Sequence, residues 1–359
     1  MKKLLLCLGL AATAAGCQEP ATTDQPDVDT TATATFTNPL LPSGADPWSI
    51  YHEGYYYYTH TTGRNVTLWK TSSLTALEKA PSKVVWTPPE GEAYSKEVWA
   101  PEIHFLNGAW YIYVAADDGH NRNHRMWVLE NPSADPLEGE FRLKGQLKTP
   151  DDRWAIDGSV FEHRGQMYFV WSGWEGDENG EQDLYLAKLA NPWTVEGERV
   201  RISRPTYDWE THGTIPNPGP DDKPEVLVNE GPQPLLHGDR VFVIFSASGC
   251  WTEYYALGML SANADADLMD PASWHKHEEP VFRAENQNGT YAAGHNSFFT
   301  SPDGTENWIL YHANPEAGQG CGGHRSPRMQ PFTWTADGLP DFGTPVSLDE
   351  KLPIPSGEE

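Results

Sequence analysis

The stretch Asp157-Gly-Ser-Val-Phe-Glu-His-Arg-Gly165, followed by the aromatic run Met167 to Trp171, decides the fold, because four similar stretches occur elsewhere in the chain. Each copy starts with a short polar or acidic residue, continues as an apolar strand, turns at a glycine and returns as a strand rich in aromatic side chains. The other copies are Asp46 to Tyr58, Glu102 to Val114, Glu230 to Phe245 and His295 to Tyr311. An internal repeat of this kind indicates one repeated structural unit.

The repeated unit is built from strands. Apolar residues alternate with period two, and no window longer than about ten residues keeps a helical period. The 15 tryptophans, 15 tyrosines, 32 glycines and 30 prolines are typical of short aromatic strands joined by many turns. Three to four antiparallel strands per repeat, spaced 55 to 73 residues apart, match propeller blades. We therefore expect an all-β, five-bladed β-propeller forming a single domain, with a β-sandwich as the alternative.

The N-terminus is typical of an export signal. It has a basic start at Lys2-Lys3, an apolar run from Leu4 to Ala15 and a small-residue end at Ala15-Gly16-Cys17. The run is too short to span a bilayer. Cys17 resembles the lipidated cysteine of a bacterial lipobox, although position 14 is Ala where Leu is commonest. We expect a lipoprotein-type signal peptide at 1–17, a flexible linker at 18–35 and the propeller at 36–354, with a periplasmic or secreted protein as the alternative.

Charge and cysteine content limit the partners and the covalent framework. With 25 Lys and Arg against 51 Asp and Glu, the net charge is −26. Such a surface repels nucleic acid and anionic lipid, so we expect no nucleic-acid partner. Cys250 and Cys321 are the cysteines outside the N-terminal segment. In an exported protein they either form a disulfide or remain as two separate thiols.

The residues at the starts of the repeats are expected to converge. In a propeller the first strand of each blade lines the central channel, so equivalent positions meet at one mouth. Counted back from the turn glycine, Asp46, Asp157 and Glu230 lie at minus eight, His295 at minus nine and Glu102 at minus six. An offset of two keeps the same strand face. We expect the first three to form a carboxylate cluster, with Glu102 facing the channel at another depth.

Three carboxylates beside an aromatic-lined channel suit hydrolysis of a glycosidic bond. One carboxyl must be protonated at the leaving oxygen, and an ionised one activates water across the sugar ring, roughly 6.5–9.5 Å away in the inverting form. A third carboxylate keeps the acid protonated by like-charge repulsion. The competing use is a site for a hard ion such as calcium. Zinc-ligand spacing, nucleophile-elbow serine and phosphate-loop motifs are absent from the sequence.

At these residues the sequence resembles glycoside hydrolase family 43, whose members are inverting enzymes on a five-bladed propeller. The match runs from about Asn38 to Leu352 and rests on five motifs: Gly44-Ala45-Asp46-Pro47, Trp99-Ala100-Pro101-Glu102, Ile156-Asp157-Gly158-Ser159, Asn229-Glu230-Gly231-Pro232 and Gly294-His295-Asn296-Ser297. The resemblance implies that Asp46 is the general base and Glu230 the general acid, and that Asp157 orients Glu230 and tunes its pKa. It implies no required cofactor, and a calcium ion held through water by His295 in the channel.

Further stretches resemble the exo-acting α-L-arabinofuranosidases of this family rather than its endo-arabinanases. They lie at 116–121, 123–126, 255–259 and 324–332. The long loop Tyr207 to Pro224 is expected to wall off one end of the cleft. Trp99 is expected to stack on a sugar, Glu102 to contact substrate and Arg325 to clamp sugar hydroxyls. The alternatives are a core position for Trp99 and a surface salt bridge for Arg325.

These observations predict an exported, inverting exo-hydrolase that releases L-arabinofuranose from arabinan or arabino-oligosaccharides. The alternatives are a β-D-xylosidase of the same family and a non-catalytic sugar-binding propeller. The expected partner is a plant polysaccharide or oligosaccharide that contains arabinose or xylose. A lipid on Cys17 would anchor the protein at the outer membrane or cell surface.

Overall fold

The computed structural model describes residues 34–218 and 223–358. Their regular structure consists of strands and short 3₁₀ turns, so the predicted all-β class is confirmed. No helix within these two ranges is both long and apolar enough to cross a membrane. The predicted signal peptide, Cys17 and nearly all of the predicted linker lie outside the described residues.

The strands follow one another along the whole described chain. In chain order they are β1 (Thr35–Phe36), β2 (Ala45–His52), β3 (Tyr55–Thr61), β4 (Val66–Thr71), β5 (Ser82–Trp86), β6 (Lys96–Leu106), β7 (Ala109–Asp117), β8 (Arg125–Asn131), β9 (Arg142–Gln146), β10 (Ala155–His163), β11 (Gln166–Gly173), β12 (Glu181–Asn191), β13 (Thr194–Ser203), β14 (Leu227–His237), β15 (Arg240–Ala247), β16 (Ala256–Asn263), β17 (His275–Lys276), β18 (Tyr291–Thr300), β19 (Asn307–Asn314), β20 (Ser326–Trp334), β21 (Pro340–Asp341) and β22 (Leu352–Pro353). The 3₁₀ turns are Leu74–Lys79, Asn121–Asn123, Asp208–Glu210 and Pro271–Ser273.

The strands form successive antiparallel meanders, one for each sequence repeat. Strands β2–β5, β6–β9 and β18–β21 each make a four-stranded sheet. Strands β10–β17 make an eight-stranded sheet, in which a short parallel pairing of β12 with β14 joins two further meanders, β10–β13 and β14–β17. Strand β1 pairs with β22, so the two ends of the described chain meet in one small sheet.

The first strands of the meanders contact one another in a closed cycle. Strand β2 contacts β6, β6 contacts β10, β10 contacts β14, β14 contacts β18, and β18 returns to β2. Since each of these strands begins with one of the repeat motifs, the cycle brings the starts of all five repeats together.

Each pair of neighbouring meanders shares one hydrophobic cluster. Tyr57 of β3 packs in the cluster that contains Trp110 of β7, whereas the adjacent Tyr56 packs in the cluster that contains Trp308 of β19. Successive side chains on a strand point to opposite faces. The second strands are therefore apolar and aromatic on both faces because each supplies two clusters.

Every first strand contains a β-bulge. The pairing with the second strand skips two residues between Ala45 and Trp48, and at the same place in the other four first strands. One residue in each bulge has a left-handed backbone with φ between 42° and 58°: Asp46, Ala100, Asp157, Gly231 and His295. This conformation costs a non-glycine residue about 1–2 kcal/mol, and bulges re-aim side chains next to active sites. These five positions are structurally equivalent.

The bulges correct the predicted register of Glu230. Asp46 and Asp157 do occupy equivalent positions, but the residue equivalent to them in β14 is Gly231, so Glu230 lies one residue earlier. The count from the turn glycine was wrong because His237 pairs with Arg240, which makes Gly238 the first residue of its turn. Gly165 is the second residue of the corresponding turn in the third repeat.

Candidate active site

A cavity of about 390 Å³ lies where the starts of the first strands meet. Its lining includes most of the predicted site residues: Asp46, Trp99, Asp157, Glu230, His295 and Arg325. Glu102 is not among the described residues that line it. The predicted carboxylate cluster is therefore present, with Glu102 outside it.

Asp46 is held as a carboxylate. Its Oδ1 is 3.1 Å from Arg325 Nη1 and 3.2 Å from His295 Nδ1, and its Oδ2 accepts a 2.6 Å hydrogen bond from Thr61 Oγ1. Burial alone would raise the pKa of the carboxyl, but the positive charges of His295 and Arg325 outweigh it and hold this pKa far below its usual range. An ionised carboxylate of this kind can accept a proton from water.

Glu230 has the opposite electrostatic environment. Its Oε1 accepts a 2.8 Å hydrogen bond from the Tyr255 hydroxyl, and the side chain is buried. Burial raises its pKa to about 7, and the negative charge of Asp157 contributes in the same direction. Glu230 is therefore still partly protonated near neutral pH, while Asp46 is ionised. Two carboxyl groups with pKa values driven apart are suited to acid and base roles.

Asp157 lies beside the acid and fixes the backbone that carries it. Its Oδ2 accepts a 3.0 Å hydrogen bond from the N–H of Gly231, the residue directly after Glu230. Burial also raises the pKa of the Asp157 carboxyl. One potential ligand atom each from Asp157, Glu230 and His295 lie within 4.8 Å of one another. The role in orienting and tuning Glu230 that the resemblance implies for Asp157 stays a prediction.

His295 lies close to Asp46 and also to the pair formed by Asp157 and Glu230. Its backbone N–H donates to Ser246 Oγ at 2.8 Å, and its ring faces Asp46. Burial opposes the charged form, but the negative charge of Asp46, the strongest influence among the neighbouring acidic groups, outweighs it and raises the pKa of the imidazole.

Glu102 lies two residues after Ala100, the left-handed residue of its strand, at a different level from the cluster. Its Oε2 is 3.0 Å from His104 Nε2, and its Oε1 accepts a hydrogen bond from the side-chain amide of Gln233. Gln233 occupies the matching position two residues after Gly231. Both Glu102 oxygens are committed to protein groups, so the predicted substrate contact finds no support in this geometry.

Aromatic side chains form the cavity walls. Trp99 and Trp154 both line the cavity. Trp99 stacks on His124 with ring centroids 4.1 Å apart, and Trp154 stacks on Trp174 at 4.7 Å. Each of these wall indoles is therefore stacked on a second aromatic ring. Trp99 is thus a wall residue, and its stacking on a sugar stays a prediction.

A disulfide joins two other parts of the wall. Cys250 and Cys321 are bonded, with Cα atoms 5.3 Å apart, so the disulfide alternative is confirmed. The carbonyl of Cys321 accepts a 2.9 Å hydrogen bond from Arg325 Nη2. The guanidinium is thus held between Cys321 and Asp46 inside the cavity, rather than in the surface salt bridge that was its alternative.

The loop predicted to close one end of the cleft does reach the cavity. Ile215 lies in the wall, and the indole of Trp251 donates a 2.9 Å hydrogen bond to the Thr214 carbonyl. Trp251 also lines the cavity. The described part of the loop therefore contributes to the wall as expected.

Several contacts of the cluster were not predicted from the sequence. Thr61, Ser246 and His312 contact Asp46 or His295. Each lies on a second strand, directly opposite the residue that precedes a bulge. Counting residues along each second strand, starting from its hairpin turn, would have identified these three positions. Tyr255 lies in a stretch singled out by the resemblance, but its hydrogen bond to Glu230 gave no signal of its own.

Comparison with known proteins agrees with this geometry. A model of glycosyl hydrolases family 43 matches residues 36–340. An "extracellular exo-alpha-(1->5)-L-arabinofuranosidase" from Streptomyces avermitilis is 40% identical over 321 residues, 87% of this chain and 64% of the relative, so the chain spans less than two thirds of that protein. A protein of the same description from Streptomyces chartreusis is 36% identical over 284 residues, 78% of this chain and 83% of the relative.

Among solved structures, an alpha-L-arabinofuranosidase from Lactobacillus brevis is 36% identical and superimposes with a TM-score of 0.80. The match covers 88% of this chain and 98% of that one. The residues matched by the family model include all five repeats that build the cavity. The chain belongs to glycosyl hydrolase family 43.

Proposed function

We propose that this protein is an exo-acting α-L-arabinofuranosidase that releases L-arabinofuranose from arabinan or arabino-oligosaccharides with inversion. The observation that carries the proposal is the pairing of an ionised Asp46 with a proton-retaining Glu230 in one walled cavity. The printed descriptions of the relatives support arabinofuranoside as the substrate.

The reaction follows from the two protonation states. Asp46 takes a proton from a water molecule as the water oxygen bonds to the anomeric carbon. Glu230 gives its proton to the glycosidic oxygen as the bond from that oxygen to the anomeric carbon breaks. Because water attacks from the face opposite the leaving group, the configuration inverts. Asp157 assists by keeping Glu230 protonated and by holding the N–H of Gly231.

The walled cavity supports an exo mode of action. Its volume of about 390 Å³ is near the lower end of the roughly 300–1,000 Å³ usual for ligand pockets. Ile215, Trp251 and the disulfide close part of its rim. Such a cavity suits the end of a chain better than the middle of one.

The test is an assay of the wild-type protein on nitrophenyl α-L-arabinofuranoside, nitrophenyl β-D-xyloside and arabinan. We expect cleavage of the arabinofuranoside and arabinose as the first product from arabinan. Preference for the xyloside would support the β-xylosidase alternative, and early oligosaccharide products would indicate an endo enzyme. Absence of cleavage of both aryl glycosides and of arabinan would leave only the sugar-binding alternative.

The pH dependence of kcat/KM should change when Asp157 is replaced. Since Glu230 acts in its protonated form, activity is lost as pH rises through its pKa of about 7. Asp157→Asn removes a negative charge beside Glu230, which lowers the pKa of the acid and moves the alkaline limb of kcat/KM to lower pH. Activity at a fixed pH above the limb falls about tenfold for each unit of movement. Asp177→Asn, at an exposed position, is the control; an alkaline limb unchanged in Asp157→Asn would contradict the tuning role.

The five meanders are proposed to be the blades of a closed five-bladed propeller. The cyclic contacts of the first strands and the hydrophobic clusters shared between neighbours support closure. The pairing of β1 with β22 supports a junction between the first and last strands of the described residues.

Export is proposed as well, with lipid on Cys17 as the anchor. The sequence of residues 1–17 supports both steps, and the two Streptomyces relatives are described as extracellular. A lipid anchor would place the cavity at the outer membrane or cell surface, where polysaccharide fragments are encountered.

The surroundings of His295 suit a calcium ion held through water. Calcium prefers oxygen ligands. The adjacent Asn296 is completely buried, and both of its side-chain polar atoms lack a partner within the described residues, as does Ser159 Oγ. Buried polar atoms of this kind usually bind ordered water.

Removal of this ion should therefore destabilise the protein. Prolonged chelation is expected to lower the melting temperature by several degrees. A ligand present at about 100 times its Kd adds about 2.7 kcal/mol to the free energy of unfolding. Added Ca²⁺ should restore the melting temperature, and Mg²⁺ should not. Elemental analysis of the purified protein gives the stoichiometry. Protein free of calcium with an unchanged melting temperature would reject the ion.

A further inference from the structure

A buried ion pair contacts Asn229, the residue that precedes Glu230. Glu210 is fully buried, and its Oε1 is 2.5 Å from the ammonium of Lys276. The same Oε1 accepts a 3.0 Å hydrogen bond from the side-chain amide of Asn229. Its Oε2 accepts the backbone N–H groups of Thr206 and Tyr207 at 2.8 and 2.9 Å. The carboxylate thus has four donors and needs no solvent.

Lys276 and Asn229 are equally well satisfied. The Lys276 ammonium donates to Glu210, to the Arg204 carbonyl at 2.7 Å and to Asn229 Oδ1 at 3.2 Å. Asn229 Oδ1 also accepts from Ser203 Oγ at 2.7 Å. A buried charge pair is weak evidence for stability, because desolvation offsets much of the attraction. A complete network around one such pair instead fixes the positions of its members.

The backbone around Asn229 needs such support. At Leu227 and Val228, β14 pairs with β12 in parallel; from Asn229 onward it pairs with β15 in the antiparallel direction. The strand therefore changes partner at the residue immediately before Glu230, and the bulge begins immediately after it. The Asn229 carbonyl is held by Ser172 Oγ at 2.9 Å.

We propose that Glu210, Lys276 and Asn229 form a positioning cluster that fixes Glu230 for proton donation. The cluster holds the residue before the acid, as Asp157 holds the N–H of the residue after it. These residues are not among the described residues that line the cavity; they act through the backbone of the acid. The inference rests on the proposed function, because it takes Glu230 as the proton donor.

Lys276→Met tests the cluster, since it keeps the length of the side chain and removes the charge. A displacement of about 1 Å at a catalytic group can cost up to about 100-fold. We expect kcat on an arabino-oligosaccharide to fall about 10- to 100-fold, and kcat on 2,4-dinitrophenyl α-L-arabinofuranoside to fall much less, because that leaving group needs little protonation. Ser203→Ala, which removes a single hydrogen bond to Asn229, should give a smaller loss with the same substrate dependence and covers the case in which Lys276→Met fails to fold.

Lys70→Met is the matched control. Lys70 forms an ion pair of the same 2.5 Å length with Asp135, away from the cavity, so its removal should leave the ratio of the two activities unchanged. Equal losses on both substrates in the Lys276 and Ser203 variants would overturn the positioning role and leave a purely structural one. Wild-type activity on the two substrates tests the proposed function separately. Absence of cleavage of both substrates by the wild type would contradict the proposed activity, whatever the variants do.

Discussion

Glu230→Gln is expected to slow hydrolysis of arabino-oligosaccharides by about 10²–10⁴-fold, the usual contribution of a general acid. A glutamine keeps the size of the side chain and an oxygen for the Tyr255 hydroxyl, which donates to Glu230 at 2.8 Å. It has no acidic proton to give to the departing sugar oxygen. The loss therefore falls on the step in which a poor leaving group must be protonated.

The same change should have little effect on 2,4-dinitrophenyl α-L-arabinofuranoside. The dinitrophenolate leaves without protonation, so Asp46 and its water suffice. Steady-state kcat values on the two substrates give the comparison, and Glu162→Gln, at an exposed position on β10, is the matched control. Equal losses on both substrates would contradict the assignment of Glu230 as the acid. The alkaline limb of the pH profile should also disappear, because that limb reports its deprotonation.

The repeat was sufficient to predict the members of the cluster. The glycine turns and the acidic starts recur along the chain, so Asp46, Asp157 and Glu230 could be selected from the sequence. The exact position of Glu230 along β14 could not be obtained by counting residues back from the turn glycine, because a two-residue turn can carry its glycine at either position. The structure resolves this through the bulges, where Gly231, not Glu230, has the left-handed backbone.

Contacts between different repeats could not be predicted from the sequence pattern. Arg325 is 279 residues from Asp46 in the chain, and Gln233 is 131 residues from Glu102. Nothing local distinguishes Arg325 as a partner of the base from an arginine that binds sugar hydroxyls. Such pairs depend on the cyclic arrangement of the first strands, which brings distant segments into one cavity. The buried Glu210 and Lys276 were missed for the same reason.

Asp46→Asn is expected to reduce kcat by about 10²–10⁴-fold on the oligosaccharide and on the dinitrophenyl glycoside alike. Water must be activated whatever the leaving group is, so the loss should not depend on it. The amide keeps an oxygen acceptor for Thr61 and Arg325, which preserves most of the local contacts. Both activities are measured at a pH below the pKa of Glu230, since removal of the Asp46 charge also lowers that pKa.

A chemical rescue separates a base from a merely structural carboxylate. In Asp46→Ala the truncated side chain leaves room for a small anion beside Arg325 and His295, whose positive charges pair with the carboxylate in the native site. Azide needs no deprotonation, so it should restore cleavage of the dinitrophenyl substrate and form an arabinosyl azide of inverted configuration. ¹H NMR of the first product identifies its configuration, and the wild-type enzyme should release β-L-arabinofuranose from an α-linked substrate. A retained configuration in either product would reject attack by water from the Asp46 side, because inversion requires the nucleophile and the acid on opposite faces of the sugar.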